Sequence, residues 1–292
     1  MLLDSKINPL EDKNFLNKCR NFVKEVLKED IGSGDLTTLS TIPKKAIGQA
    51  RLLVKDSGII AGIDLAKIFS IERRGLNIKI LKHDGERVKQ GDVVFTIEGN
   101  IHEILSIERS MLNCMQRMSA IATKTSEYCS LVNGTKAKIL DTRKTTPLNR
   151  IIDKWAVKIG GGSNHRFGLY DMIMIKDNHI DFAGGITQAI NKTKEYISKN
   201  NKQLDIIVEA RNIDEIQEII KQDGIKRILL DNFDYETTKE AINIIDGKLE
   251  TESSGGITEK NIADYAKCGV DFISIGALTH SINNFDLSLK AI

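Results

Sequence analysis

The 292 residues carry 42 Lys and Arg against 40 Asp and Glu, a formal net charge of +2, with 41% hydrophobic and 28% charged residues. That balance, with no long basic run, argues against a nucleic-acid partner, and no run approaches the eighteen or so apolar residues of a membrane span. The length exceeds a usual single domain, so two domains, or one barrel with a substantial extension, are expected.

The cysteines, Cys19, Cys114, Cys129 and Cys268, show neither CxxC pairing nor zinc-site spacing, and reduced core thiols are expected. The start, Met1-Leu2-Leu3-Asp4, has no basic region before an apolar segment, so the expected location is cytoplasmic. Residues 14–28 place Phe15, Leu16, Cys19, Phe22, Val23, Val26 and Leu27 at helical spacing. Glu29-Asp30-Ile31-Gly32-Ser33-Gly34-Asp35 reads as a loop too acidic and glycine-rich to continue that helix; it either terminates the helix or lies near a site or interface. Residues 48–62 read as strand, turn and strand around Gly58. From His83 to Ile97, the pattern DGxxVxxGDxxxxI implies two β-turns joining short strands. It also resembles biotinyl and lipoyl carrier hairpins, but no Met-Lys or Asp-Lys turn stands where the modified lysine belongs.

Glu103 to Leu131 contains no proline or glycine, and Ile104, Ile107, Met111, Met115, Met118 and Ala122 form one apolar stripe. One long helix or two abutting ones are expected, with methionines as core fillers. Arg109 lies about half a turn off the stripe and reads, on position alone, as a solvated arginine. After Asn133-Gly134 the rhythm changes. Strands are expected at 138–141, 172–176, 204–209, 227–231, 248–252 and 272–276, separated by helices such as 213–221 and 258–267. Alternation implies a parallel sheet, either an incomplete barrel or a doubly wound sheet.

These strands end in ionisable or glycine-rich loops. The early group is cationic: Thr142, Arg143 and Lys144, then His165 and Arg166, then Lys176 with His179. Guanidinium forks bind carboxylates bidentately, so this group suits a planar dicarboxylate. The late group is acidic and glycine-rich: Glu209, Asp231, Ser254-Gly255-Gly256 and Gly276. Glycine turns admit phosphate oxygens to backbone N–H groups, with a helix start expected near Thr258. Two carboxylates could hold Mg²⁺ together with substrate oxygens and stabilise an oxocarbenium-like ribose carbon. In a barrel all these ends face one mouth. The residues alone thus reach an α/β enzyme for anionic, phosphorylated substrates.

The wording TRKTTP at 142–147 and GGGSNHRFGLYDMIMIKDNHI at 160–180 resembles the quinolinate phosphoribosyltransferase family, as do Glu29–Thr38, Glu108–Asn113, Val208-Glu209-Ala210, Leu230-Asp231-Asn232, Glu252–Ile257 and Gly276–Ser281. The molybdenum-transport-associated ModD proteins share much of this pattern. The resemblance implies an N-terminal α/β sandwich domain (1–118, joined by the tail 280–292) and an open six-stranded parallel α/β barrel of the type II phosphoribosyltransferase kind (119–279). It implies a decarboxylating pentosyltransferase that joins quinolinate and 5-phosphoribosyl 1-diphosphate, with Mg²⁺, in NAD synthesis. Lys144, Glu209 and Asp231 are the implied catalytic group. Arg109, Thr142, Arg143, His165, Arg166, Lys176, Ser254, Gly255, Gly256, Gly276 and His280 are the implied substrate contacts. His280 as a phosphate contact, and Arg109 reaching the site of a neighbouring subunit, rest on the resemblance alone. A homodimer with shared sites follows from it, with no nucleic acid or membrane partner.

Overall fold

The computed structural model describes residues 10–73 and 75–292. They form two compact units, one of Glu127–Lys144 with Gly162–Ala277, the other of the described part of Leu3–Ser126 with Thr145–Gly161 and Leu278–Ile292.

Helix α1 (Lys13–Ile31) starts where the Asp12 carboxylate accepts the N–H groups of Asn14 and Phe15. It buries Phe15, Cys19, Val23 and Leu27, one residue per turn. It runs three residues beyond the sequence expectation and stops at Gly32, whose φ of 51° favours glycine. The acidic segment is therefore not all loop. Asp30 accepts a hydrogen bond from the Ser110 hydroxyl at 2.7 Å, and Asp35 caps a short helix, α2 (Leu36–Thr41), that periodicity did not reveal. Next come β1 (Ile47–Val54), β2 (Gly58–Ile59), α3 (Ile63–Glu72), β3 (Asn77–Ile80), β4 (Arg87–Val88) and β5 (Val93–Asn100). The 83–97 segment thus supplies β4, paired with β2, and β5, paired with both β1 and β3. The proline- and glycine-free stretch is one helix, α4 (Ile101–Leu131), with Ile104, Ile107, Met111, Met115 and Met118 buried. The division between the two units falls between residues 126 and 127, within this helix.

The rest of the chain comprises β6 (Lys138–Leu140), α5 (Arg150–Ile159), β7 (Ile173–Ile175), α6 (Asp177–Ala183), α7 (Ile186–Lys199), β8 (Ile206–Ala210), α8 (Ile213–Ile219), β9 (Arg227–Asp231), α9 (Tyr235–Ile245), β10 (Glu250–Ser254), α10 (Ile262–Lys267), β11 (Phe272–Ser274), α11 (Ala277–His280) and β12 (Leu287–Ala291). Strand β12 pairs with β1, completing an antiparallel sheet in the order β12-β1-β5-β3. Helix α5 packs in the same unit: Trp155 meets Phe15 edge-to-face at 5.1 Å, and buried Asp153 takes a bidentate ion pair from Arg117 of α4.

The other unit is built on a six-stranded parallel sheet in the order β6-β11-β10-β9-β8-β7. The first strand pairs with the last, while β6 and β7 stay unpaired with each other, which is the open form of a barrel. The free edge of β6 is instead met by Ser163, whose N–H donates to the Ile139 carbonyl at 2.8 Å and whose carbonyl accepts from Asp141 N–H. Register decides which side chains share a face. Glu209 stands opposite Leu229, Leu229 opposite Glu252, and Glu252 opposite Phe272. Met172, Ile207 and Leu229 pack as one apolar cluster on that face. Helix α10 begins at Ile262, four residues later than expected. Thr258 and Asn261 form a hydrogen-bonded turn instead, so no helix terminus follows the Ser254–Gly256 turn directly.

Candidate active site

The loop after β6 is organised by Asp141, which is fully buried. It accepts hydrogen bonds from the Asn164 amide at 2.6 Å and the His165 main-chain N–H at 2.8 Å. The TRKTTP loop and the Asn164–Arg166 turn are thereby tied to one carboxylate. Within the loop, the Thr142 hydroxyl accepts the Lys144 N–H at 3.0 Å, so Thr142 shapes the turn that presents exposed Arg143 and Lys144.

Arg166 follows directly. It is only 7% exposed, and one guanidinium nitrogen donates to the Met172 carbonyl at 3.4 Å. Burial, and then the neighbouring Arg143 cation, hold its pKa below the usual arginine range. A buried guanidinium that feels a second, exposed cation marks a place suited to an anion. The chain then turns through Phe167 and Gly168, whose N–H groups donate to the Asp171 carboxylate at 2.6 and 2.8 Å. A cavity of about 450 Å³ lies beside this turn, lined by Arg166, Met172, Met174, His179 and Lys192 among others.

At the end of β7, Lys176 reaches Glu209 of β8, with Nζ 3.3 Å from Oε2. His179 does something different from the other cations: its Nδ1 accepts the Lys176 N–H at 3.0 Å and caps α6. Glu209 is 5% exposed. Asp231, two residues beyond the Leu229 that faces Glu209, projects to the same side of the sheet. Its carboxylate accepts a hydrogen bond from the Asn232 side-chain amide at 2.9 Å. Ser254 pairs in register with Asp231, and Gly255 and Gly256 follow at φ 94° and 59°. Positive-φ glycine turns of this kind are the backbone form in which main-chain N–H groups can converge on an anion.

One unit therefore gathers Thr142, Arg143, Lys144, His165, Arg166, Lys176, Glu209, Asp231, Ser254, Gly255, Gly256 and Gly276 at the C-terminal ends of its parallel strands. Arg109 and His280 belong to the other unit, and both are exposed. His280 Nδ1 lies 2.6 Å from the Ser281 hydroxyl. Asp141 was legible as an ionisable residue closing a strand, but sequence reasoning did not single out Asn164, Asn232 or Glu252 as parts of the site. These three act on neighbours rather than projecting a charge from a loop, and only the paired register and side-chain hydrogen bonds reveal them.

For a divalent cation, no cluster of three or more His, Cys, Asp or Glu exists among the described residues. The residues fit instead an ion held by one or two carboxylates and substrate oxygens, as Mg²⁺ prefers, through the oxygens that Lys176 and Asn232 leave open on Glu209 and Asp231.

The family models for the quinolinate phosphoribosyl transferase N-terminal domain and C-terminal domain match residues 35–119 and 121–290. A chloroplastic nicotinate-nucleotide pyrophosphorylase (carboxylating) of Arabidopsis thaliana is 43% identical over 284 residues, covering 92% of this chain and 81% of its own. A probable nicotinate-nucleotide pyrophosphorylase (carboxylating) of Bacillus subtilis is 38% identical, with 97% and 94% covered. The solved structure of the nicotinate-nucleotide pyrophosphorylase from Francisella tularensis superposes with a TM-score of 0.86 at 35% identity, over 99% of this chain and 98% of that one.

Proposed function

This chain belongs to the quinolinate phosphoribosyltransferase family, and from that premise we propose how its own residues perform the reaction. The enzyme transfers phosphoribosyl from 5-phosphoribosyl 1-diphosphate to quinolinate with decarboxylation, giving nicotinate mononucleotide, CO₂ and diphosphate for NAD synthesis.

The observation that carries the residue assignment is the neighbouring pair Arg143 and Arg166, set beside a strand mouth that also presents Lys176, Glu209 and Asp231. The two guanidinium groups hold the quinolinate carboxylates, with Lys144 and Lys176 completing the cationic wall and His165 standing behind Arg166. Glu209 and Asp231 face the ribose carbon as diphosphate leaves and stabilise its developing positive charge. The Ser254–Gly256 turn and Gly276 receive phosphate oxygens on main-chain N–H groups. Once the ring nitrogen bonds to ribose, the C2–carboxylate bond can break with its electron pair left on C2 beside the cationic nitrogen; CO₂ departs without a further cofactor, and a proton from solvent then takes its place on C2. Glu209 and Asp231 would hold Mg²⁺ together with substrate oxygens, and the ion would supply charge neutralisation to the departing diphosphate.

The working unit is a homodimer in which Arg109 of one subunit completes the site of its partner and His280 contacts phosphate. This reading draws on the motif match and on the exposure of Arg109, which makes no demand on its own helix stripe. A cytoplasmic setting is supported by four free cysteines; burial pushes two of them, Cys19 and Cys114, up to about 12, which keeps them inert thiols. No described helix is long and apolar enough to cross a membrane.

Incubation with both substrates tests the assignment. CO₂ and diphosphate are expected in equal amounts from quinolinate, and slow turnover from nicotinate, because the missing carboxylate leaves part of the cationic group around buried Arg166 unmatched. Nicotinate turnover at a similar rate would contradict the dicarboxylate pocket.

A further inference from the structure

One charged group on the cluster-bearing face of the parallel sheet has no place in the reaction as derived so far. Glu252 of β10 is fully buried, one register layer below Ser254. A carboxylate there is costly unless paired. Arg227 of the neighbouring strand supplies the pair, with Nη1 2.8 Å from Glu252 Oε2 and Nη2 2.9 Å from Glu250 Oε2. Its guanidinium is itself fixed over the Phe272 ring, 3.7 Å from the centroid. A purely structural ion pair would end there. Instead the same Oε2 also faces Nε2 of His165 at 3.5 Å, while Oε1 is buried with no protein donor among the described residues.

The other side of the imidazole is equally specific. Nδ1 of His165 accepts the main-chain N–H of Arg166 at 2.6 Å, so Nδ1 carries no proton and the ring proton resides on Nε2, toward Glu252. The main-chain N–H of His165 is in turn held by Asp141. Two buried carboxylates thus grip the residue immediately before Arg166 from opposite ends.

We propose that Glu252 is a positioning residue for substrate binding: anchored by Arg227, it fixes the Nε2–H form of His165, whose bare Nδ1 then locks the Arg166 main chain in the orientation that offers its guanidinium to the substrate carboxylate. This inference rests on the reading that Arg166 holds quinolinate. Burial alone would push Glu252 up, yet His165 and Arg227 hold its pKa below the ordinary range, so an anion is present to orient the ring.

The first test is read on the wild-type enzyme. Nitrogen-15 NMR of the intact enzyme, with His165 assigned among the five histidines by a His165→Gln comparison, should show Nε2 protonated and Nδ1 unprotonated near neutral pH. A doubly protonated ring, or a proton on Nδ1, overturns the proposal. The second test is Glu252→Gln. If the amide oxygen turns to Arg227, its NH₂ confronts the Nε2–H, and the ring must change tautomer or rotate. Quinolinate affinity, measured by calorimetry, should fall about 10- to 100-fold, the scale seen when the carboxylate that orients a working histidine is lost, with far less change for 5-phosphoribosyl 1-diphosphate. Glu252→Asp, which keeps the charge, should recover part of that loss. Equal weakening of both substrates together with a lower Tm would mean a structural ion pair only, and wild-type quinolinate affinity in Glu252→Gln would likewise end the idea. If Glu252→Gln does not fold, the double variant Arg227→Gln/Glu252→Gln removes the uncompensated cation and is read the same way. Failure of wild-type enzyme to bind quinolinate would instead strike at the parent reading.

Discussion

Asn232 sits at φ 57°, a left-handed backbone that few side chains tolerate but asparagine does. Its side-chain nitrogen donates to Asp231, its N–H donates to the Ser254 carbonyl, and its side-chain oxygen lies so close to Gly255 that a Cβ there would overlap it. One residue thus orients a carboxylate and dictates glycine across the turn. Asn232→Gly keeps the backbone but drops the Asp231 hydrogen bond, so it should lower kcat with little change in Tm. Asn232→Ala adds a left-handed strain of about 1–2 kcal/mol and should lower both. A kinetic and thermal-melting comparison of the two separates the contributions, and equal kcat in Asn232→Gly and wild type would remove the orienting role. For the carboxylates themselves, Glu209→Ala or Asp231→Ala should reduce turnover by about a hundredfold or more, as expected for electrostatic groups at a reacting centre, with a much smaller effect on quinolinate affinity. Unchanged turnover in both would exclude them from the chemistry. Chelation of divalent cations should likewise stop turnover until Mg²⁺ is restored.

At the scale of elements, caps and turns decide more than periodicity does. Helix α3 has no side-chain cap of its own; its N-cap, Gly62, is at φ 97°. The cap arrives from the 83–97 segment, where Asp84 accepts the N–H groups of Ile63 at 2.8 Å and Asp64 at 3.1 Å. Burial outweighs these donors and pushes the Asp84 carboxyl up to about 6, from an ordinary 3.8. Between those values the folded chain binds a proton that the unfolded chain has released. Its contribution to stability is therefore greatest below the ordinary pKa and is lost as pH rises through about 6, a change of about 3 kcal/mol at 1.36 kcal/mol per unit. Asp84→Asn cannot titrate. Relative to wild type it should gain roughly that amount of stability between pH 4 and pH 7, after a constant offset for the lost second acceptor. Urea unfolding of both proteins at the two pH values checks this, and parallel pH curves would show that Asp84 keeps an ordinary pKa.

For the whole molecule, the decisive prediction concerns subunit sharing. Arg109→Ala and Lys144→Ala homodimers should each be inactive, since every site in either lacks a cation. In a heterodimer of the two, one site collects both lesions and the other receives intact Arg109 from one chain and intact Lys144 from the other. With random pairing half the dimers are mixed, so roughly a quarter of the wild-type site activity should return by symmetry. Continued inactivity of a verified heterodimer would place Arg109 in its own subunit's site.

The sequence alone determined the alternation of six strands with helices, the helical character of 103–131, though not whether it was one helix or two, and the cationic and acidic loops, because each depends on neighbours within a few residues: apolar spacing, an absent proline, an ionisable residue at a strand end. It also carried the family, since TRKTTP and GGGSNHR are contiguous words. It misplaced the start of α10 and overlooked α2, where single side chains, Asn261 and Asp35, settle the local turn against weak propensities. The tertiary structure decided which strand closes on which, that Ser163 occupies the free edge of β6, and that His179 caps a helix while His165 stands between Glu252 and the Arg166 backbone. Residues 165 and 252 are 87 positions apart, and no local pattern encodes a distance of 3.5 Å between them. The hydrogen-bonded register of parallel strands does, by setting which side chains share a face and a layer.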